Sequence, residues 1–369
     1  MFRYLSRLKK GYIILLMQSC IGLFAFSFVP LFLKEKGYSS FFLVFLYALY
    51  TGVGVLVIPL FRRFYLKKYL MMGFLCFMMI AVLFVFYIDY YSYYLYALLE
   101  GFTFVFFWIP LNYLFFRTSS FQSNATDSSL YMTIGSLLGI FIPLLGGLVI
   151  KYGNYQWLFG SVLVLDLIPL YYIWKNVSEE QVEVRFFESI SSFKGLKTIT
   201  FCEGSLHFFG IVVIPIYTLL FLKAELSYGL FLSYVGIVGA VVGLSLSHYS
   251  DKSGSRKKYL FPLFFMMVFS ILILSLVHTF FWWMIAVGFY FVLATISDPL
   301  RLAVSLDSKK STLGFWSVRE FFLNLGRVVT LALAALFFYF KMYWPVFVLF
   351  ALIVGVYPFL IKVKLKQVR

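Results

Sequence analysis

The chain has 369 residues, of which 63% are hydrophobic and only 12% charged. That balance excludes a water-soluble globular protein, because no interior of this size could hide so much apolar surface, and it makes lipid the solvent. The formal net charge of +16 does not point to nucleic acid, since the basic residues are scattered among short links between apolar runs, where anionic lipid headgroups are the natural partners.

A bilayer is crossed by about 20 apolar residues in a helix. Twelve segments of that kind are read, at roughly 11–33, 40–61, 69–88, 93–116, 128–150, 157–174, 197–222, 227–249, 259–277, 280–300, 312–340 and 345–361. The expected fold is an all-α integral membrane protein. Its twelve transmembrane helices form two pseudo-symmetric six-helix halves, over 1–174 and 197–369, joined by a central linker over 175–196. The first segment is too long for a signal peptide and lacks a clear cleavage site, so a retained first helix is expected.

Arg3, Arg7, Lys9 and Lys10 precede helix 1, which carries Gln18. Arg62, Arg63, Lys67 and Lys68 follow helix 2. Helix 4 carries Glu100, then Trp108 and Asn112 on either side of Pro110, a residue that removes a helix hydrogen bond and permits bending. Helix 5 carries Gly135, Gly139, Pro143, Gly146 and Gly147, read as a close-packing surface. Asp166 in helix 6 is expected to be tied to a neighbouring helix. The sequons at Asn124 and Asn176 fall on the expected cytoplasmic side and are predicted to carry no glycan. In the linker, Phe186, Phe187, Ile190 and Phe193 recur at helical spacing, which predicts a short helix lying in the membrane interface.

Helix 7 carries Thr200, Glu203, His207 and Gly210 on one face, and the four-residue spacing of Glu203 and His207 lets the two share a proton. Lys252, Arg256, Lys257 and Lys258 follow helix 8. Helix 10 is expected to end with Asp298-Pro299-Leu300-Arg301, its acid and base three apart. Helix 11 carries Glu320, Asn324 and Arg327 on one face with Trp316 a turn before, while Arg319 points about 100° away. Arg327 lies about 22 Å along that helix, too deep to reach the cytoplasmic headgroups easily. Lys362, Lys364, Lys366 and Arg369 close the chain. The four basic clusters fall on one side of a twelve-helix arrangement, which orients both termini to the cytoplasm of a multi-pass cell-membrane protein.

Short matches recur at a fixed offset over about eighty residues, which suggests two halves of the same build. Leu31-Phe32-Leu33-Lys34 recurs as Leu220-Phe221-Leu222-Lys223, Phe42-Leu43 as Phe231-Leu232, Val53-Gly54 as Val242-Gly243 and Pro110-Leu111 as Pro299-Leu300, each 189 residues on. Duplicated membrane halves usually enclose a pathway, which favours transport over catalysis. The link after helix 8, Ser247-His248-Tyr249-Ser250-Asp251-Lys252-Ser253-Gly254-Ser255-Arg256-Lys257, resembles the signature loop of the major facilitator superfamily, with Ser247 where that family usually has glycine. The first-half loop Phe61-Arg62-Arg63-Phe64-Tyr65-Leu66-Lys67-Lys68 departs from the pattern, having no Asp or Gly.

The resemblance implies a secondary active transporter whose helices 1, 4, 7 and 10, with helix 11 in the wall, line a central cavity. It implies that Asp251, Lys252, Gly254 and Arg256 form a conformational gate. Arg327 and Arg319 are then expected to engage an anionic or hydroxylated solute group, and Glu203, His207 or Glu320 to carry a coupling proton. Gln18, Glu100, Trp108, Asn112, Asp298, Arg301 and Asn324 complete the expected substrate and coupling set. The alternative on the same fold is an exporter or flippase of amphiphilic drugs or lipids. No cofactor, metal site or enzymatic activity is expected: Cys20, Cys76 and Cys202 show no metal or disulfide spacing, and hydrolase and nucleotide-binding motifs are missing. Beyond a small-molecule substrate, membrane lipids and a coupling proton, no partner is foreseen, and the chain is expected to act as a monomer.

Overall fold

The structure is a computed structural model that describes residues 10–86, 91–120, 122–242 and 256–367. Among them, twelve helices are long and apolar enough to cross a membrane. In chain order these are α1 (Lys10–Glu35), α2 (Ser40–Leu60), α3 (Leu66–Phe86), α4 (Tyr91–Phe116), α5 (Asn124–Tyr152) and α6 (Tyr155–Asn176). After the linker come α7 (Lys197–Thr218), α8 (Glu225–Val242), α9 (Tyr259–Leu276), α10 (Phe280–Ser308), α11 (Leu313–Tyr339) and α12 (Trp344–Ile361). With twelve crossings, the start of α1 and the end of α12 fall on one side, here called the termini side.

The rim helices show why lipid is the solvent. Trp157, Val164, Leu167, Ile168, Tyr171 and Trp174 of α6 and Leu352, Val356 and Phe359 of α12 are all exposed. Helices can present such faces to hydrocarbon because their backbone groups are satisfied within each segment. Inside, the aromatic residues, 22% of the chain, interlock: Phe32 packs edge-on to Phe84, Tyr155 and Phe159, binding α1, α3 and α6 together. That gives the aromatic excess a packing role.

Two seams join the halves. Along one, α5 and α8 approach so closely that a Cβ on Gly236 would strike the Gly139 backbone and one on Gly229 the Pro143 carbonyl, while one on Gly147 would sit tightly against the Glu225 carbonyl. The helix 5 glycines therefore act as a packing surface; Gly135 alone among the four meets nothing and borders the central cavity. Along the other seam, α2 meets α11, from Phe41–Tyr339 at the far side to Gly54–Asn324 at mid-depth. Contacts between the halves flank the centre on both sides: Phe28 lies edge-on to Tyr228 towards the far side, and Phe116 stacks on Trp316 near the termini side, where Asn124 also donates to Asp307 at 2.8 Å.

Several expectations need correction. Helix 10 does not stop at Arg301 but runs to Ser308 with Pro299 inside it, so Asp298 and Arg301 sit in the helix interior. The linker helix exists, over Phe186–Ser192, but it does not offer all its aromatics to the membrane interface. Phe186 and Phe193 are buried against Phe321, Phe315 and Phe322 of α11, and only Phe187 stands fully out. Ahead of it, a strand at Gln181–Glu183 (β2) pairs antiparallel with Arg63–Tyr65 (β1) in the link between α2 and α3, which sequence reading missed. Arg117 and Tyr113 at the end of α4 hold Glu180 beside this ribbon, at 2.9 and 3.1 Å. Asp166 is fully buried, yet neither carboxylate oxygen has a hydrogen-bond partner, so it is not the interhelical tie expected.

Candidate functional site

A cavity of about 360 Å³ lies between the halves. Of the predicted residues, Gln18, Glu100, Trp108, Asn112, Glu203, His207, Asp298, Arg301, Arg319, Glu320 and Arg327 all line it. Asn324 does not; it is fully buried behind the wall, where its side-chain oxygen accepts from Arg327 at 2.9 Å. Asp251, Lys252 and Gly254 lie outside the described residues, and Arg256 opens the helix that continues as α9.

Helix periodicity places the α4 residues. Glu100, Phe104, Trp108 and Asn112 recur every four residues and form one stripe down the cavity. In α4 the segment Phe104–Trp108 widens to a π-helical turn just before Ile109-Pro110, and in α7 Phe209–Val213 does the same before Ile214-Pro215. Proline lacks an amide hydrogen and crowds the preceding turn, and a wide turn accommodates both effects.

Three acid–arginine pairs form the opposite wall. Arg319 of α11 donates to Glu203 of α7 at 2.6 Å, and Tyr357 of α12 donates to the other oxygen at 2.8 Å. Both carboxylate oxygens of Glu203 are thus engaged, and no bond joins it to His207, whose Nδ1 has no partner; the expected shared proton is not what holds these two. Close approach of the helices makes the pair possible. A Cβ on Gly204 would collide with the Leu323 carbonyl, and one on Gly326 with the Phe201 carbonyl. Within α10, Arg301 binds Asp298, while its Nε and Nη1 have no partner.

The third pair is looser. Arg327 Nη1 lies 3.5 Å from Glu320 Oε2, and its guanidinium rests over the rings of Phe208 and Phe104, 4.6 and 5.4 Å from their centres. Glu320 also accepts from Asn112 of α4 at 3.3 Å, and Asn112 in turn accepts from Tyr131 of α5 at 2.7 Å. This chain of bonds crosses from one half to the other through the cavity wall. Tyr131 and Tyr357 were missed by sequence reading; with 28 tyrosines in the chain, a tyrosine alone carries no signal.

No protein-family model matches this chain, and no curated protein sequence does. Its shape does have a match. The structure of the human organic anion transporter MFSD10 (TETRAN) is similar over 95% of this chain and 99% of that chain, with a TM-score of 0.65 and 11% sequence identity. The chain has the major facilitator fold. At so low an identity the likeness is one of architecture. In this instance of the major facilitator fold, the charged groups concentrate on the second half: of the four acids and three arginines lining the cavity, only Glu100 comes from the first.

Proposed function

We propose that this protein is a secondary active transporter that moves a small polar or charged solute by alternating access, with both termini in the cytoplasm of a cell membrane. The observation that carries the reading is the cavity between the halves, walled by buried acid–arginine pairs and flanked on both sides by contacts that would have to part in turn. Charge at mid-membrane is costly, and a substrate or ion pathway is where it is usually kept. The similarity to an organic anion transporter supports the general class. Aromatic residues share that wall, and it is its four acids and three arginines that favour a polar or charged solute over the amphiphiles of the alternative reading.

Glu320 is the group we assign to the coupling proton. Its bonds to Arg327 and Asn112 are long, and one of them joins the two halves, so protonation would loosen the closure without stranding a tightly held partner. Glu203, held by two short bonds, serves the wall's structure. Reconstitution into proteoliposomes tests this. In Glu320→Gln, accumulation driven by a pH gradient should fall at least tenfold while exchange of solute across the membrane persists. Undiminished pH-driven accumulation would remove Glu320 from the coupling step.

A further inference from the structure

We propose that Glu100 is a cation subsite, and that the solute this cavity carries bears a protonated amine. The consequence for transport rests on the function proposed above; the binding itself is measured separately.

Three of the four acids lining the cavity have an arginine: Glu203 has Arg319, Asp298 has Arg301 and Glu320 has Arg327. Glu100 pairs with no basic side chain among the described residues; its carboxylate accepts only a long bond from Thr103, at 3.4 Å. It stands nine residues along α4 from Tyr91, about 14 Å into the helix, where a carboxylate must either take up a proton or meet a counter-charge. Conversely, each arginine already has an acid, so a purely anionic solute meets no arginine here that lacks a counter-charge.

The surroundings suit a cation. Tyr50 lines the same cavity as Glu100, and Phe104 follows Glu100 one turn along the same stripe. Aromatic faces attract ammonium and guanidinium groups, and this wall already holds one, since the Arg327 guanidinium rests on Phe104 and Phe208. Arg327 itself is committed to Glu320 and Asn324, and its unpartnered Nε is buried. An amine at Glu100 would therefore share the Phe104 side of the cavity with the Arg327 guanidinium without needing a bond to it.

Three probes share one ring system and differ in charge: tryptamine has the amine alone, tryptophan the amine and carboxylate, and indole-3-propionate the carboxylate alone. Thermal unfolding of the purified full chain in detergent should be raised in a dose-dependent way by tryptamine and tryptophan but not by indole-3-propionate. Glu100→Gln should weaken the apparent affinity for both amines at least tenfold, and Glu100→Asp, which keeps the charge, should retain it to within a few-fold. The proposal is overturned if indole-3-propionate stabilises as well as tryptamine, if the amine effect survives Glu100→Gln, or if neither amine acts at millimolar concentration. An amine that stabilises the protein but is never accumulated by proteoliposomes would leave the subsite standing and remove the transport reading.

Discussion

Glu203 and Glu320 are both acids on cavity-lining helices, and they are held very differently. Glu203 has a guanidinium at 2.6 Å and a tyrosine hydroxyl at 2.8 Å; the two bonds to Glu320 are 3.3 and 3.5 Å. Removing one member of a buried, well-bonded pair leaves the other charged and unmatched, which costs about 3–5 kcal/mol. Glu203→Gln is therefore expected to lower the thermal stability of the detergent-solubilised protein strongly, and Glu203→Gln/Arg319→Gln to recover much of the loss; equal losses in the two would show that the pairing is immaterial. Legibility at this scale follows distance along the chain. Glu320, Asn324 and Arg327 share a helix, so 3.6-residue periodicity puts them together, and the structure joins them by Arg327. The Glu203–Arg319 pair spans 116 residues, and its register depends on how two helices cross, which no periodicity encodes.

At the scale of the element, that crossing is set by Gly204 and Gly326, each facing the other helix's backbone where a methyl group would not fit. Ser205 seals the same contact with a 3.2 Å bond to the Gly326 carbonyl. Either glycine changed to alanine must push α7 and α11 apart and stretch the Glu203–Arg319 bond. Overpacking of this kind typically costs about 1–3 kcal/mol, so both variants should melt at lower temperature, with the loss in Gly326→Ala smaller when Glu203 has already been replaced by Gln; strictly additive losses would separate the seam from the pair. The wide turns ahead of Pro110 and Pro215 invite the opposite test. With Pro215→Ala the helix can regain a regular turn and its missing amide hydrogen, and the expected outcome is unchanged or higher thermal stability with slower transport in proteoliposomes. A variant that loses stability would mean that the wide turn is required by packing. The parallel runs Phe104…Ile109-Pro110 and Phe209…Ile214-Pro215 stand in the sequence at a spacing other than 189 residues, so the half-chain repeat does not pair them.

At the scale of the whole molecule, composition and the repeated half were enough for the architecture, because a chain this apolar has few ways to satisfy its backbone other than a bundle of membrane-long helices. The linker was half legible. Its helix announced itself by aromatic spacing, whereas the paired strands are three residues each and too short for any alternation to be seen. Phe186 and Phe193 anchor that helix to α11, so Phe186→Ala/Phe193→Ala should expose the 175–196 stretch to protease in the folded protein, while Phe187→Ala, at an exposed position, should not. Equal cleavage in both would show that the helix is not anchored through these rings.

The linker also limits movement. Val184 still donates to the Arg62 carbonyl, at 2.7 Å, and Phe186 is already packed on α11. Two residue steps separate an attachment to one half from an attachment to the other, a leash no longer than about 7 Å. If the termini side opens by more than that beside α11, either the ribbon must unzip or the aromatic anchor must let go. The connector is therefore a travel stop, and whichever of its two moorings is weaker sets how wide that mouth can open.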